Sequence, residues 1–443
     1  MCSEWKKTRL GDCISLRGGF AYKSEFLGRG ESLLFGMGVV SHTEKFLLSG
    51  AREYSGIAPE THKTQPGELV IATRQQSDNM PILGAPGFVP KELKGKNLIV
   101  GANLYKVTNI SSISNDFLYW LMKGDDYKNR ILECSKGSTV RMITKDAIED
   151  FVFYCPPVDE RNRIVNVLNT IDDRITLLRE TNATLEAIAQ TLFKSWFVDF
   201  DPVHARAGGE QPAGLPPEVA ALFPDSFEES ALGMIPKGWR VDCIGHLGEV
   251  VCGKTPPTSD PDNYGEDVPF ITIPDMHGYL AVTSTARSLS RKGADSQPKK
   301  YLPAGSICVS CIATPGLVVQ VTESSHTNQQ INSVIPHLEW GRSFPLFLLR
   351  RIGDKVRAGG SGGSVFHNLS KSSFEKIPEL LPTNNLAQQY CQIVDPLVEK
   401  IIDNQRQAQT LATLRDTLLP RLISGQLRLP EAEAQLSEAG LCQ

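Results

Sequence analysis

The chain has 443 residues, 41% of them hydrophobic and 22% charged, the composition of a globular protein of two to four domains at about 100–200 residues each. No apolar run approaches the roughly 20 residues that span a bilayer, and the N-terminal MCSEWKKTRLGD lacks the apolar stretch of a secretory signal, so cytoplasmic residence and no membrane partner are expected. The net charge of −4 has the wrong sign for a nucleic-acid binder, but it is uneven: residues 1–157 hold 20 Lys+Arg against 17 Asp+Glu, and the acid excess lies further on.

In chain order, residues 1–157 read as a globular domain of short strands and turns beginning at Trp5. Within it the strand ending at Ile71 opens into ATRQQSDNM, where Arg74, Gln75, Gln76 and Asn79 form the densest run of groups able to pair with base edges. The Gly-Ser turn KGSTVR adds Lys136 and Arg141, with glycine backbone that lets a phosphate approach closely.

Residues 158–200 carry no Pro or Gly after Pro157 and read as a long helix. Apolar residues at Ile164, Leu168, Ile171, Ile175, Leu178, Leu185, Ala189, Leu192 and Trp196 keep alternating steps of four and three if Asn182 fills one polar seat, a heptad stripe. Residues 201–237, rich in Pro, Gly and Ala, read as a linker with one short helix near 218–222.

A second globular domain, 238–383, starts at Trp239; its candidate contacts are Ser310 and Thr314, then Asn328, Gln329 and Gln330, then Ser364 and His367 in GGSGGSVFH. Residues 384–425 repeat the heptad stripe with Tyr390, Val394, Leu397, Ile401, Asn404, Ala408, Leu411, Leu418 and Leu422. A buried Asn in such a seam fixes register at some cost in stability. Each helix is about 40 residues, hence roughly 60 Å; neither can bury its stripe alone, so antiparallel pairing is expected. The tail, 426–443, is acidic and expected to fray.

The two halves are one fold written twice. Lys145 faces Lys371 and Glu149 faces Glu375 at an offset of 226 (371 − 145), whereas Trp5 faces Trp239 at 234 (239 − 5) and Leu69 faces Ile307 at 238 (307 − 69). A constant offset at the domain end and drift upstream mean equal scaffolds with unequal loops.

No ATP hydrolysis and no nucleophile-elbow chemistry is expected of the chain, although GEVVCGKT (248–255) and GGSGG (359–363) fit the letters of GxxxxGK[ST] and GxSxG. Asp201-Pro202-Val203-His204 lacks the second proline and the aromatic of an amino-methyltransferase loop. The ten cysteines include one CxxC, Cys308 to Cys311, with no second ligand pair, so buried reduced thiols and no metal site are expected. The chain reads as non-catalytic.

A duplicated globular domain alternating with two long helices resembles the specificity subunit of type I restriction–modification systems, as do the motifs LRDTLLPRLISGQLRL, LFKSWFVDFDPV and GSTVRMITKDAIEDF. The resemblance covers nearly the whole chain. It implies an α+β architecture of two target recognition domains separated by an antiparallel coiled coil. Each domain would read one half of a split double-stranded DNA target, and the helices would set the spacing and dock two methyltransferase subunits. Restriction subunits would join that core, and the partners would bind S-adenosylmethionine, ATP and Mg, leaving no cofactor for this chain. A rival reading is a structural adaptor whose two domains bind proteins while the coiled coil spaces them.

Overall fold

Each half is organised around a short, largely apolar strand that is covered on both faces. In the first half this is Leu69–Ala72, in the second Ile307–Ser310, every residue buried. The structure, a computed structural model, describes residues 5–75, 82–137, 140–231, 233–312, 314–357, 369–427 and 430–431. Contacts divide the chain into two units, residues 1–175 with 410–443 and residues 176–409. Each long helix therefore contributes one part to each unit.

In the first unit the central sheet runs in the order Ile14–Gly18, Leu104–Asn109, Leu69–Ala72, Pro86–Phe88, all antiparallel. In the second unit the order is Gly248–Cys252, Ile331–Pro336, Ile307–Ser310, Val318–Val321, with Ala281–Val282 added in parallel at the edge. The first four strands correspond one to one. The same holds for the closing ladder: Lys6–Arg9 pairs Val152–Cys155 as Arg240–Cys243 pairs Pro378–Leu381. The five-residue helices Lys145–Glu149 and Lys371–Glu375 stand at the offset of 226 seen in the sequence. Thr144 and Ser370 occupy their N-cap positions, and the Ser370 hydroxyl accepts from Ser373 N.

The long helices are Val158–Phe197 and Asn384–Ile423, 40 residues each. In the first unit Ile164, Leu168, Ile171 and Ile175 are buried together with Leu411, Leu418 and Leu422. There Asp172 and Arg415, both almost fully buried, form an ion pair at 2.6 Å. In the second unit Leu178, Ala189, Trp196, Tyr390, Val394 and Ile401 are buried, and the Tyr390 hydroxyl donates to Ala189 O at 3.0 Å. The seam polar residues meet: Asn404 Nδ2 donates to Asn182 Oδ1 at 2.9 Å, and Asn182 Nδ2 donates to Ile401 O at 3.0 Å. Residues 182 and 401, and 189 and 390, pair in opposite chain directions, so the coiled coil is antiparallel. Leu185, Leu192 and Leu397 are only partly buried, while Phe193 and Val398 take deeper places. The helices pack on their globular domain as well as on each other, which widens the apolar face beyond a strict heptad line.

Residues 201–237 are not a simple spacer. They form helices Asp201–Ala207 and Pro217–Ala220 and a hairpin, Phe227–Ser230 with Gly233–Pro236. Val203, Val219 and Phe223 are buried in the core that holds Trp196 and Trp239, with Trp196 and Phe223 edge to face at 5.1 Å. The turn formers in this stretch bend the chain so that three apolar anchors reach one core. Leu427 is likewise buried, its N–H bonded to Arg421 O; most of the tail lies outside the described residues.

His326 is a buried group without compensation. It is fully buried 4.3 Å from the Tyr301 ring, and neither ring nitrogen has a partner among the described residues. Burial pushes its pKa down to about 4, with Asp295 opposing. His42, in the first unit, is lowered to about 4 by burial and then by Lys123 and Lys128.

Two outcomes are expected. Asn404→Ala leaves the Asn182 carbonyl without its donor, so unfolding should become easier by about 1–3 kcal/mol. The double change Asn182→Leu with Asn404→Leu should recover that loss or exceed it; urea midpoints read both, and an unaltered midpoint for Asn404→Ala would deny the pair its role. For His326 the folded pKa lies below the unfolded value of about 6.5, so its stabilising contribution is complete above pH 6.5. It is lost as pH falls through 6.5 toward 4, on the order of 2 kcal/mol. His326→Phe should flatten the fall of Tm with pH in that window, and an undiminished fall would assign the acid sensitivity elsewhere.

Candidate nucleic-acid interface

The buried central strand of each domain delivers its following residues to one end of the sheet, where three loops meet. In the first unit Gly19 N donates to Leu104 O (2.9 Å), Phe20 N to Val100 O (2.8 Å) and Thr73 N to Asn103 O (2.9 Å). In the second, Gly253 N donates to Ile331 O (3.1 Å), Lys254 N to Thr327 O (2.9 Å) and Cys311 N to Gln330 O (2.9 Å). These are the same three bonds at corresponding positions. Both junctions need glycine: a Cβ on Gly19 would sit 2.0 Å from Gly101 O, and one on Gly253 would sit 2.1 Å from Asn328 O.

What the two scaffolds present differs. In the first unit Arg74–Gln75 pairs Arg141–Met142 antiparallel, with Arg74 opposite Met142. On its other side Met142 exchanges backbone bonds with Lys136, at 3.0 and 2.8 Å. Cross-strand neighbours share a face, so Arg74, Met142 and Lys136 form one row, and all three are exposed. Gly137 (φ 101°) makes the bend that returns Lys136 to Met142. The ribbon is fastened by Ile143 N donating to Thr73 O (3.1 Å) and by the Tyr105 hydroxyl donating to Ile143 O (3.2 Å). Burial, then Asp146 and Glu149, raise the Tyr105 pKa, which keeps the phenol a donor.

Gln75 and Arg141 take the opposite face. Gln75 is buried and lines a cavity of about 370 Å³ with His42, Lys123 and Arg415. There the Lys123 ammonium donates to Ser41 O and His42 O, and burial, then Arg415, bring its pKa down to about 7. Gln75 thus belongs beneath the ribbon and is withdrawn as a surface contact, because residue 74 already takes the outward position of the pleat.

In the second unit Asn328, Gln329 and Gln330 form a closed turn: Asn328 Nδ2 donates to Gln330 Oε1 (3.1 Å) and Gln330 N to Asn328 Oδ1 (3.0 Å). Gln329 is exposed and its Oε1 accepts from the Thr255 hydroxyl at 2.8 Å. Lys254, exposed beside it, was not singled out from the sequence, nor was Met142. The Gly253-Lys254-Thr255 junction is the signal that could have found the first; nothing local marks the second.

Ser310 is a correction. It is fully buried, its hydroxyl donating to Thr314 O (2.6 Å) and accepting from Leu317 N (2.9 Å). It shapes the loop from inside, because the last residue of a strand covered on both faces cannot face solvent. Thr314 is half-buried in that loop. Gln76, Asn79, Ser364 and His367 lie outside the described residues.

These exposed rows supply hydrogen-bond donors, acceptors and cations on rigid turns. That chemistry suits base edges and phosphates.

Comparison with known proteins agrees in extent and kind. Residues 2–187 and 236–412 match the type I restriction modification DNA specificity domain, once in each half. The chain is 34% identical over 477 aligned positions to the type I restriction enzyme HindI specificity subunit of Haemophilus influenzae, covering 96% of this chain and 100% of that one. It is 26% identical to the type I restriction enzyme MjaIX specificity subunit of Methanocaldococcus jannaschii, over 72% of this chain and 70% of the relative. In fold it is similar to the crystal structure of a type I restriction–modification S subunit from M. genitalium, with a TM-score of 0.55 and 14% identity over 95% of this chain and 96% of the other. A duplicated scaffold with divergent loops, two 40-residue helices and a family match in both halves lead to one conclusion: the chain belongs to the type I restriction–modification DNA specificity family.

Proposed function

We propose that this chain is the DNA-reading subunit of a type I restriction–modification complex, each globular domain recognising one half of a bipartite target. The observation that carries the reading is the recurrence of three backbone hydrogen bonds at one end of each sheet, with different side chains mounted on them: Arg74, Met142 and Lys136 in the first unit, Lys254 and Gln329 in the second. One scaffold with two sets of outward groups suits two different half-sites. Arg74 is assigned to a guanine edge or neighbouring phosphate, Met142 to an apolar base contact and Lys136 to phosphate.

The paired helices are assigned the spacing between half-sites and the docking of two methyltransferase subunits. Those partners supply adenine methylation with S-adenosylmethionine, and restriction subunits supply ATP- and Mg-dependent cleavage. This chain contributes positioning and no chemical step. Its residence is assigned to the cytoplasm, where its DNA would be met.

Selection of duplexes from a random pool by the chain together with methyltransferase subunits tests the reading. Arg74→Ala should weaken binding by about 1–3 kcal/mol and relax the half-site read by the first domain only. Lys136→Ala should weaken all sequences alike and reduce the dependence of affinity on salt. Failure of the complex to select any sequence would favour the protein-binding adaptor.

Four residues inserted after Ala183, with four more after Asp403 to match, would lengthen both helices by about 6 Å while nearly keeping the seam in phase. The preferred spacer should grow by one or two base pairs, at roughly 3.4 Å each, with both half-sites retained. An unchanged spacer in a folded variant would remove the helices as the ruler.

A further inference from the structure

The turn that opens the second globular domain brings three metal-ligand types together. Asp242 and Cys243 end the strand Arg240–Cys243, and His246 ends the single 3-10 turn that follows. The Asp242 carboxylate oxygen, the Cys243 Sγ and the His246 Nδ1 lie within 4.8 Å of one another, with Sγ to Nδ1 at 3.3 Å. For ligands at about 2.3 Å (sulfur) and 2.0–2.1 Å (imidazole nitrogen) on a tetrahedral ion, the edge between them is roughly 3.5 Å, close to the separation observed.

The turn is held from behind. Ile244 and Leu247 are fully buried, Ile244 N donates to Ile377 O, and the Trp340 indole donates to His246 O at 2.9 Å. Cys243 N donates to Asp242 Oδ1 at 2.8 Å, Arg240 Nε lies 3.2 Å from Asp242 Oδ2, and Asp242 Oδ1 contacts His246 Nδ1 directly, so the carboxylate is held facing the imidazole and a cation would take the place of that Asp242–His246 contact. Such support fixes ligands in advance. The His246 side chain is 58% exposed, leaving an approach from solvent and room for a fourth ligand.

The first unit supplies an internal control. The equivalent turn, 234 residues earlier, carries Thr8, Arg9 and Asp12 where the second has Asp242, Cys243 and His246. There Arg9 pairs with Asp12 at 3.8 Å and Asp150 at 2.7 Å. The same strand–turn geometry forms in both, so the fold does not demand a thiol, an imidazole and a carboxylate together.

The sequence's own CxxC offers nothing comparable. Cys308 and Cys311 are buried, accept from the Ser333 hydroxyl and the Asn332 amide respectively, and have pKa values pushed by burial to about 12 and about 11. Asp242-Cys243-x-x-His246 lacks paired CxxC spacing, and its carboxylate joins through the geometry of the turn.

We infer that Asp242, Cys243 and His246 form a site for a thiophilic divalent cation of the zinc class, three protein ligands with the fourth position open to water or to a group of a partner. The thiol donates as thiolate, its proton passing to solvent, and the imidazole binds through unprotonated Nδ1 with Nε2–H outward. Mixed sulfur, nitrogen and oxygen donors select Zn²⁺ or Co²⁺ over Mg²⁺ and Ca²⁺. Bound metal would staple the entry strand of the second domain to its turn, stabilising the folded state by mass action.

The test uses the full chain, stripped with chelator and titrated with Co²⁺. One equivalent should give the near-ultraviolet thiolate-to-cobalt charge-transfer band, displaced by Zn²⁺ and indifferent to excess Mg²⁺. Cys243→Ser should abolish the band, and Cys134→Ser, in the first unit, should leave it. Loss of an orienting partner alone costs about 10–100-fold in metal affinity, so His246→Gln and Asp242→Asn should each weaken Zn²⁺ by at least tenfold in competition with a chromophoric chelator. His246→Gln alters an exposed side chain and keeps the backbone carbonyl that Trp340 uses, so unchanged circular dichroism is expected. Zn²⁺ should raise the Tm of the native chain and not that of His246→Gln. A native chain without the band, or a band that survives Cys243→Ser, or Zn²⁺ affinity unaltered in folded His246→Gln, overturns the assignment.

Discussion

A 40-residue helix with an apolar stripe cannot stay in water alone, and this chain contains two. Their mutual burial is the constraint on which the remaining structure depends. Because the helices pair antiparallel, the part of the first helix nearest its own domain meets the far end of the second, and the first compact unit closes only with residues from both ends of the chain. Polar seats in the stripe act as registration marks. Asn182 and Asn404 can satisfy each other in one alignment, and a slip by a turn would bury unpaired amides. In the first unit Asp172 and Arg415 play a comparable part with charge; a buried ion pair adds little net stability but penalises every alignment that separates it.

The globular domains are fastened to the helices by large side chains. In the second unit Phe193, Trp196 and Phe197 reach a core shared with Tyr390, Phe344 and Trp239, with ring centroids about 5–6 Å apart. In the first, the Trp120 indole donates to Asn169 Oδ1 at 2.9 Å and Asn169 in turn donates to Asp116. These attachments are rigid, which is what a unit positioning DNA contacts requires. The outward residues sit instead on short turns at a sheet end, where side chains can change without disturbing buried strands. Duplication has kept the three backbone bonds of that end and replaced most of what they carry.

The organisation of this protein was legible in its sequence, because it is recorded in local periodicity and in self-similarity. Heptad spacing places the long helices within a few residues of their ends. The offsets of 226, 234 and 238 mark segments that turn out to be matching elements in matching ladders. GEVVCGKT (248–255) has the letters of a phosphate loop, but its first five residues form the strand Gly248–Cys252 paired in the central sheet, and the family match agrees with a specificity subunit. Arg74, in the polar run after the first buried strand, is exposed.

What only the tertiary structure decided concerns which polar group faces out and which distant residues become neighbours. Gln75 and Ser310 resemble contact residues by type, yet the pleat turns one inward and two-sided burial consumes the other. Met142 reaches the surface row because two separate ladders set it between Arg74 and Lys136. The Pro- and Gly-rich stretch 201–237 looks like a spacer by composition; three apolar side chains, unremarkable in sequence, find one core and fold it. Asp242, Cys243 and His246 gather because a strand ends where a buried turn begins. Periodicity is a property of neighbours along the chain and survives in one dimension. Burial of a polar atom and the meeting of ligands are set by partners far away in sequence, and only the packed fold specifies them.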